Sequence, residues 1–307
     1  MSLIPLGILA ASGGAAGGVA GYIAGGNSGS RVATVDKFDF ASDARTTLGT
    51  GLSAGKEQSA GMSNSGVAGY AAGGIAGTFV ATVDKFAFPS DSRTSLGTGL
   101  TTARYGLAGF SNSGVAGYAV GGQTGSHVST VDKFAFSDDS RTTLGTGLSA
   151  AREQLAGMSN SGVAGYAAGG GTSSVFATVD KFLFSNDSRS TLATGLSSSR
   201  RGEAGFSNSG VAGYIGGGST GSNVSTVDKF AFPSDSRSTL GTGLSTARQL
   251  VAGISNSGTA GYAAGGTTGS RVSTVDKFAF PSDSRTTLGT GLSSARYGSA
   301  GFQDEAI

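Results

Sequence analysis

One unit of 48 residues recurs six times along this chain, with no insertion between copies. Its register is marked by the tyrosines Tyr22, Tyr70, Tyr118, Tyr166, Tyr214 and Tyr262. A Val-Asp-Lys-Phe tetrad keeps the same step through Lys37, Lys85, Lys133, Lys181, Lys229 and Lys277. A fixed period of this length restricts the fold to units that stack in a line or close in a circle.

The second copy shows what the unit is. Val67 to Ala72 is apolar and ends at Gly73-Gly74. Ala81 to Phe88 alternates, with Thr82, Asp84, Phe86 and Phe88 on one side and Val83, Lys85 and Ala87 on the other. Pro89-Ser90-Asp91-Ser92 reads as a turn, because Pro presets φ and Asp and Ser bond their own backbone. Arg93 to Leu100 is expected to be a third strand and Gly106 to Ser111 a fourth, closed by the tight turn Asn112-Ser113-Gly114. No stretch has helical period. Four short antiparallel strands in about 45 residues are the blade of a β-propeller. The expectation is all-β, a six-bladed propeller; an open β-solenoid or a glycine-rich low-complexity chain are the alternatives. The 56 glycines alone would point to disorder, but they sit at fixed offsets, as backbone requirements would place them. The repeat starts on a second strand (Val19 to Ala24) and stops after a first (Gly298 to Gln303), so pairing of the N- and C-terminal strands is expected to complete one blade. Residues 1–18 then form an apolar tail and 19–307 the propeller.

The order of apolar strand, Gly-Gly, variable loop, Val-Asp-Lys-Phe strand, Asp-x-Arg turn and Ala-Arg resembles the Kelch repeat. In that family a double glycine ends the second strand and an aromatic sits in the third, where Phe86 and its copies stand. The usual fourth-strand tryptophan is replaced by Arg93 and its copies, and the chain has no Trp. The resemblance spans about residues 19 to 302 and implies architecture, since propellers host many activities. The opening Met-Ser-Leu-Ile-Pro-Leu-Gly resembles the starts of some tailed-phage virion proteins.

Chemistry is scarce. There is no Cys and one His, His127, so no usual metal site is expected, and His127 is expected to be an exposed loop residue. The acids outside the repeated framework, Asp39, Asp138, Glu57, Glu153, Glu203, Asp304 and Glu305, are not paired by sequence for acid–base work. No Gly-Lys-Ser/Thr follows the double glycines, so they are not a phosphate loop. The expectation is no enzyme, no cofactor and no metal. A net charge of +2 gives no reason to expect a nucleic-acid partner, and the apolar run in residues 1–18 is short of a membrane span.

The charged framework is neutral in every copy: Asp84, Lys85, Asp91 and Arg93 in the second. It is expected to form ion pairs near the blade edge, individually worth little, with Arg93 lying on Phe86 or Phe88. Variation between copies gathers after the double glycines (Asn27 to Arg31 in the first copy) and in the segment that leads to the next blade. Both should emerge at one end of the propeller, where rigid scaffolds carry their binding loops; drift at tolerant loops is the alternative.

Lys56, Arg104, Arg152, Arg200, Arg248 and Arg296 share one position in that segment, with Arg31, Arg201 and Arg271 nearby. Two readings stay open for the six. They ring a channel mouth and take an acidic glycan or protein, together with Arg31, His127 and Arg271, or they bond loop carbonyls and hold adjacent blades together. Three functions remain: a virion or extracellular attachment component docked to a larger protein assembly through residues 1–18, a free lectin-like glycan binder, or an intracellular interaction adaptor.

Overall fold

The computed structural model describes residues 19–304. Within them lie six four-stranded antiparallel sheets arranged as a closed ring: a six-bladed β-propeller. Blade 2 is typical, built from Ala60–Asn64 at the axis, then Ala68–Ala72, Val83–Ala87 and Ser92–Ser95 at the rim. Blade 1 takes its axial strand, Ala300–Gln303, from the C-terminal end of the chain and the other three, Ala20–Ala24, Val35–Asp39 and Arg45–Thr47, from the N-terminal end. Tyr22 stands opposite Phe302 and Ile23 opposite Gly301, so the expected clasp is present.

The rim strand is shorter than the sequence reading had it. In blade 2 it ends at Ser95, and Leu96 to Leu100 turns back over the blade. Leu96 N–H still donates to Val83 O and Leu100 N–H to Ala81 O. A Cβ on Gly99 would overlap Ala81 O. The segment is thus pressed flat on the second-to-third loop, and Leu100 is buried as a plug in its own blade.

Packing between blades dictates the repeated residues. At the axis, a Cβ on Gly61 would overlap the carbonyl oxygen of Gly301, and one on Gly109 that of Gly61, and so on around the ring. Only glycine lets six axial strands approach this closely. One step on, the N–H of Ser63 donates to Ser111 Oγ at 2.8 Å, and Ser111, Ser159 and Ser207 repeat the bond to the next blade. Gln303 of the clasped strand joins this series, its N–H donating to Ser63 Oγ at 3.0 Å. The core is six wedges between blades. In one, Tyr22 stacks on Phe302 (5.3 Å) of its own blade and on Phe88 of blade 2 (5.0 Å). Such aromatic pairs add about 0.5–1.5 kcal/mol each beyond the area they bury.

Candidate functional site

Most of the repeated charges are consumed in two sets of staples between blades. At the loop end, the third-strand aspartate of each blade receives the segment arriving from the blade before. Asp132 accepts Thr101 N–H (3.0 Å), Thr101 Oγ1 and Arg104 Nη1 (2.9 Å) across the junction, and Thr143 Oγ1 from its own rim strand. Arg104 also donates Nε to Gly121 O and Nη2 to Ala119 O. Burial pushes the Asp132 carboxyl up, but the Arg104 charge and the threonine hydrogen bonds overcome it and hold the group below the usual carboxylate range. Lys56 takes the same place toward Asp84 at 3.1 Å.

These six cations are the ones the sequence grouped into a ring. Arg104, Arg152, Arg200, Arg248 and Arg296 are 0 % exposed and Lys56 is 1 % exposed. They do not line a mouth and no ligand can reach them in this structure. Their stems turn into the junction because a buried aspartate and backbone carbonyls wait there, which is the blade-joining reading of the two left open.

At the opposite end, Lys37 Nζ donates to Asp91 of the next blade at 2.8 Å, Tyr22 Oη donates to the other oxygen at 2.7 Å, and the ammonium lies 5.3 Å over the tyrosine ring. The same trio recurs at every junction, ending with Tyr262, Lys277 and Asp43. The turn aspartate adopts a left-handed backbone (Asp91 φ 55°), tolerable for Asp because its side chain bonds locally or across. The cation over an aromatic is therefore the lysine on the tyrosine. Arg93 instead donates to Ser95 and sits 3.6 Å from Asp84.

With the framework spent, the variable residues stand alone on one end, as expected. The second-to-third loop and the incoming segment of each blade are joined by isolated bridges, such as Asn27 with Arg31 and with Tyr297. Variable side chains also meet across junctions. Arg31 Nε donates to Glu57 at 2.9 Å, Phe79 packs on Tyr105 with centroids 4.9 Å apart, and His127 Nε2 lies 3.9 Å from Glu153. Arg271 covers the Tyr297 ring at 5.7 Å and donates to Asn27 at 3.3 Å. His127 is half-buried rather than freely exposed. Of the sequence candidates, Arg31, His127 and Arg271 thus reach solvent on this face, and the other six do not.

The mouth of the axial channel opens on the same face. Its backbone forms a belt in which Gly106 N–H donates to Gln58 O, Gln154 N–H to Gly106 O and Gly202 N–H to Gln154 O. The geometry demands positive φ. Gly106, Gly202 and Gly298 supply it without cost, whereas Gln58, Gln154 and Leu250 adopt φ of 55–56° with side chains. Gln154 Nε2 donates to Gln58 Oε1 at 3.4 Å over the axis.

Glu203, one position beyond, stands out in the sequence only as an acid outside the repeated framework, with no role. It is 4 % exposed, and neither carboxyl oxygen has a hydrogen-bond partner. It stands where Leu107 and Leu155 stand in other blades, wedged against Gly169 and Gly218. Burial pushes its carboxyl up to about 8, against the lowering charge of Arg200. Comparing Ser59, Leu107, Leu155, Glu203, Val251 and Ser299 by register would have exposed the mismatch.

Among the described residues no cluster of His, Cys, Asp and Glu could hold a metal, and no helix is long and apolar enough to cross a membrane. No protein-family model matches the chain, and a comparison with curated proteins finds no similar sequence.

Proposed function

We propose that this protein is a non-enzymatic recognition module that takes a saccharide ligand on its loop face. The observation that carries this is the division of labour between residues. The repeated charges are spent inside the scaffold, between blades or, for Arg93 and its copies, within one blade, while the residues that differ between blades are gathered on one end of a rigid ring. That end is rich in hydroxyl and amide side chains on short exposed loops, including Ser28, Ser30, Thr124, Ser126, Ser173 and Ser222. Such groups suit the hydroxyls of a polyhydroxylated ligand, and the Tyr105 and Tyr297 rings beside them offer apolar faces for a sugar ring. A glycan array probed with the fluorescently labelled protein tests the reading. Retention on a defined subset of glycans is expected, and no retention on any would overturn it.

The opposite face favours a second contact, with a larger protein assembly. Val67, Val115, Val163 and Val211 are 50–54 % exposed at the tips of the first-to-second turns, and Val19 is 39 % exposed. They form an apolar set repeated in five of the six blades, with Thr259 in the remaining one, where solvent would otherwise favour polar tips. Residues 1–18, expected from the sequence to be the docking segment, lie outside the described residues but join the chain at Val19. Ligand on one face and assembly on the other fits an attachment component at a virion or extracellular surface.

A further inference from the structure

Five of the six blade junctions on the loop face are closed by side-chain contacts between variable residues. Arg31 meets Glu57, Phe79 meets Tyr105, His127 faces Glu153, Asn223 Nδ2 donates to Thr267 O at 3.1 Å, and Arg271 covers Tyr297. The junction between blades 4 and 5 differs in leaving its arginine without an acidic or aromatic partner among the described residues. The position opposite Arg201 is Val175, which offers a cation no partner. Arg201 has one long contact, Nη1 to Thr172 O at 3.5 Å, and makes no ion pair among the described residues. Glu153 feels its charge but lies beyond ion-pair distance.

The junction is also open. Where other blades begin the loop with Asn27, Ile75, Gln123, Ser219 or Thr267, blade 4 has Gly171. A Cβ there would come within 3.0 Å of Ser174 O, 3.2 Å of Arg201 Cδ and 3.5 Å of Val175 Cγ1, so a side chain at this position would crowd the arginine stem where it lies across the junction. The groove that results is walled by Ser173, Ser174, Thr220 and Gln249 around Arg201. A guanidinium outside any ion pair presents a planar fork of donors suited to a carboxylate or sulfate. The surrounding hydroxyls and amide suit the hydroxyls of a sugar ring.

We infer that the groove between blades 4 and 5 is the subsite for an anionic saccharide, with Arg201 binding its carboxylate or sulfate and Ser173, Ser174, Thr220 and Gln249 its hydroxyls. This rests on the saccharide-binding reading of the loop face and narrows it to one junction and one ligand charge. Neutral sugars lack the group that Arg201 would hold, and the anion should bind more weakly as salt screens the pair.

Titration calorimetry of the whole chain with sialyllactose, sulfated lactose and lactose tests this, the first two separating carboxylate from sulfate. At least one anionic sugar is expected to bind, with lactose weaker by at least about tenfold, the effect of losing a hydrogen-bonded charge. Arg201→Gln should lose at least about tenfold toward that sugar. The Arg201 backbone bridge to Ser219 does not involve its side chain, so folding should survive. Gly171→Gln, which carries the residue that blade 3 has there, should block the groove with Arg201 still present, giving the same loss by a second route. Unchanged binding in both variants, equal binding of lactose, or no binding of either anionic sugar overturns the inference. If the glycan array meanwhile retains neutral glycans, the saccharide reading stands and only this subsite falls; if it retains none, both fall.

Discussion

Replacing Glu203 by Leu, the residue of two sister blades, should stabilise the protein, and by an amount that depends on pH. The carboxyl has its ordinary value of 4.5 in the unfolded chain and about 8 in the folded one. The folded state therefore holds the proton more tightly, and stability falls as pH rises from the first value to the second. Near pH 7 the cost is about 3 kcal/mol, and above about pH 9 it levels off at about 5 kcal/mol. Leu removes that cost and fills the same space between Gly169 and Gly218, as Leu107 does between Gly73 and Gly122 and Leu155 between Gly121 and Gly170. For a chain of this length, about 3 kcal/mol corresponds to roughly 5 °C in Tm. The assay is thermal unfolding followed by circular dichroism from mildly acidic to alkaline pH, with Glu203→Gln as the neutral isostere. Leu should melt higher, and both variants should lose the decline that the wild type shows between about pH 5 and 8. A wild-type curve already flat over that range, or a Leu variant that melts lower at alkaline pH, would refute the reasoning.

Four other outcomes follow from the same geometry. Arg104→Gln leaves Asp132 buried without its cation and should cost about 3–5 kcal/mol by urea unfolding, far more than a surface ion pair. Because Asp36, Asp84, Asp132, Asp180, Asp228 and Asp276 are all held below the usual carboxylate range, the stability they confer is present above about pH 4 and is lost as pH falls further; an acid titration followed by tyrosine fluorescence should show one steep transition there. Gln154→Gly replaces a left-handed glutamine with the residue that three blades use, and should gain about 1 kcal/mol by the same urea assay. Removal of residues 297–307 strips the axial strand from blade 1 and opens an edge, so the truncated chain should lose its cooperative melt.

Much of the fold was legible because its constraint is periodic. The 48-residue step, the strand-length apolar runs and the mismatch between the first and last copies are all local in sequence, and together they fix blade number and clasp. The staples were not legible. Asp132 finds Arg104 28 residues earlier, and Tyr22 finds Asp91 69 residues later, so each copy's neutral charge set looks self-contained although its partners come from neighbouring blades. For the same reason the cations at the position of Arg104 looked like a ring around a mouth. Position along the chain gave their spacing but not the direction of their side chains. The loop face was visible as variation between copies. Which of its residues satisfy one another was not, since Arg31 with Glu57 and Val175 with Arg201 read alike until closure of the ring sets neighbouring blades side by side.

The central claim, that recognition belongs to the variable loop face, is tested most directly by masking one face at a time. The chain has no native cysteine, so introduced ones are unique attachment points. Ser126→Cys with Ser222→Cys places bulky maleimide-linked polymers on the loop face, and Ser90→Cys with Ser234→Cys places them on exposed turns of the opposite end. Binding to the glycans retained on the array is then measured for both labelled forms. Binding abolished by the loop-face label and kept by the other is the predicted result; binding that survives the loop-face label would contradict the account.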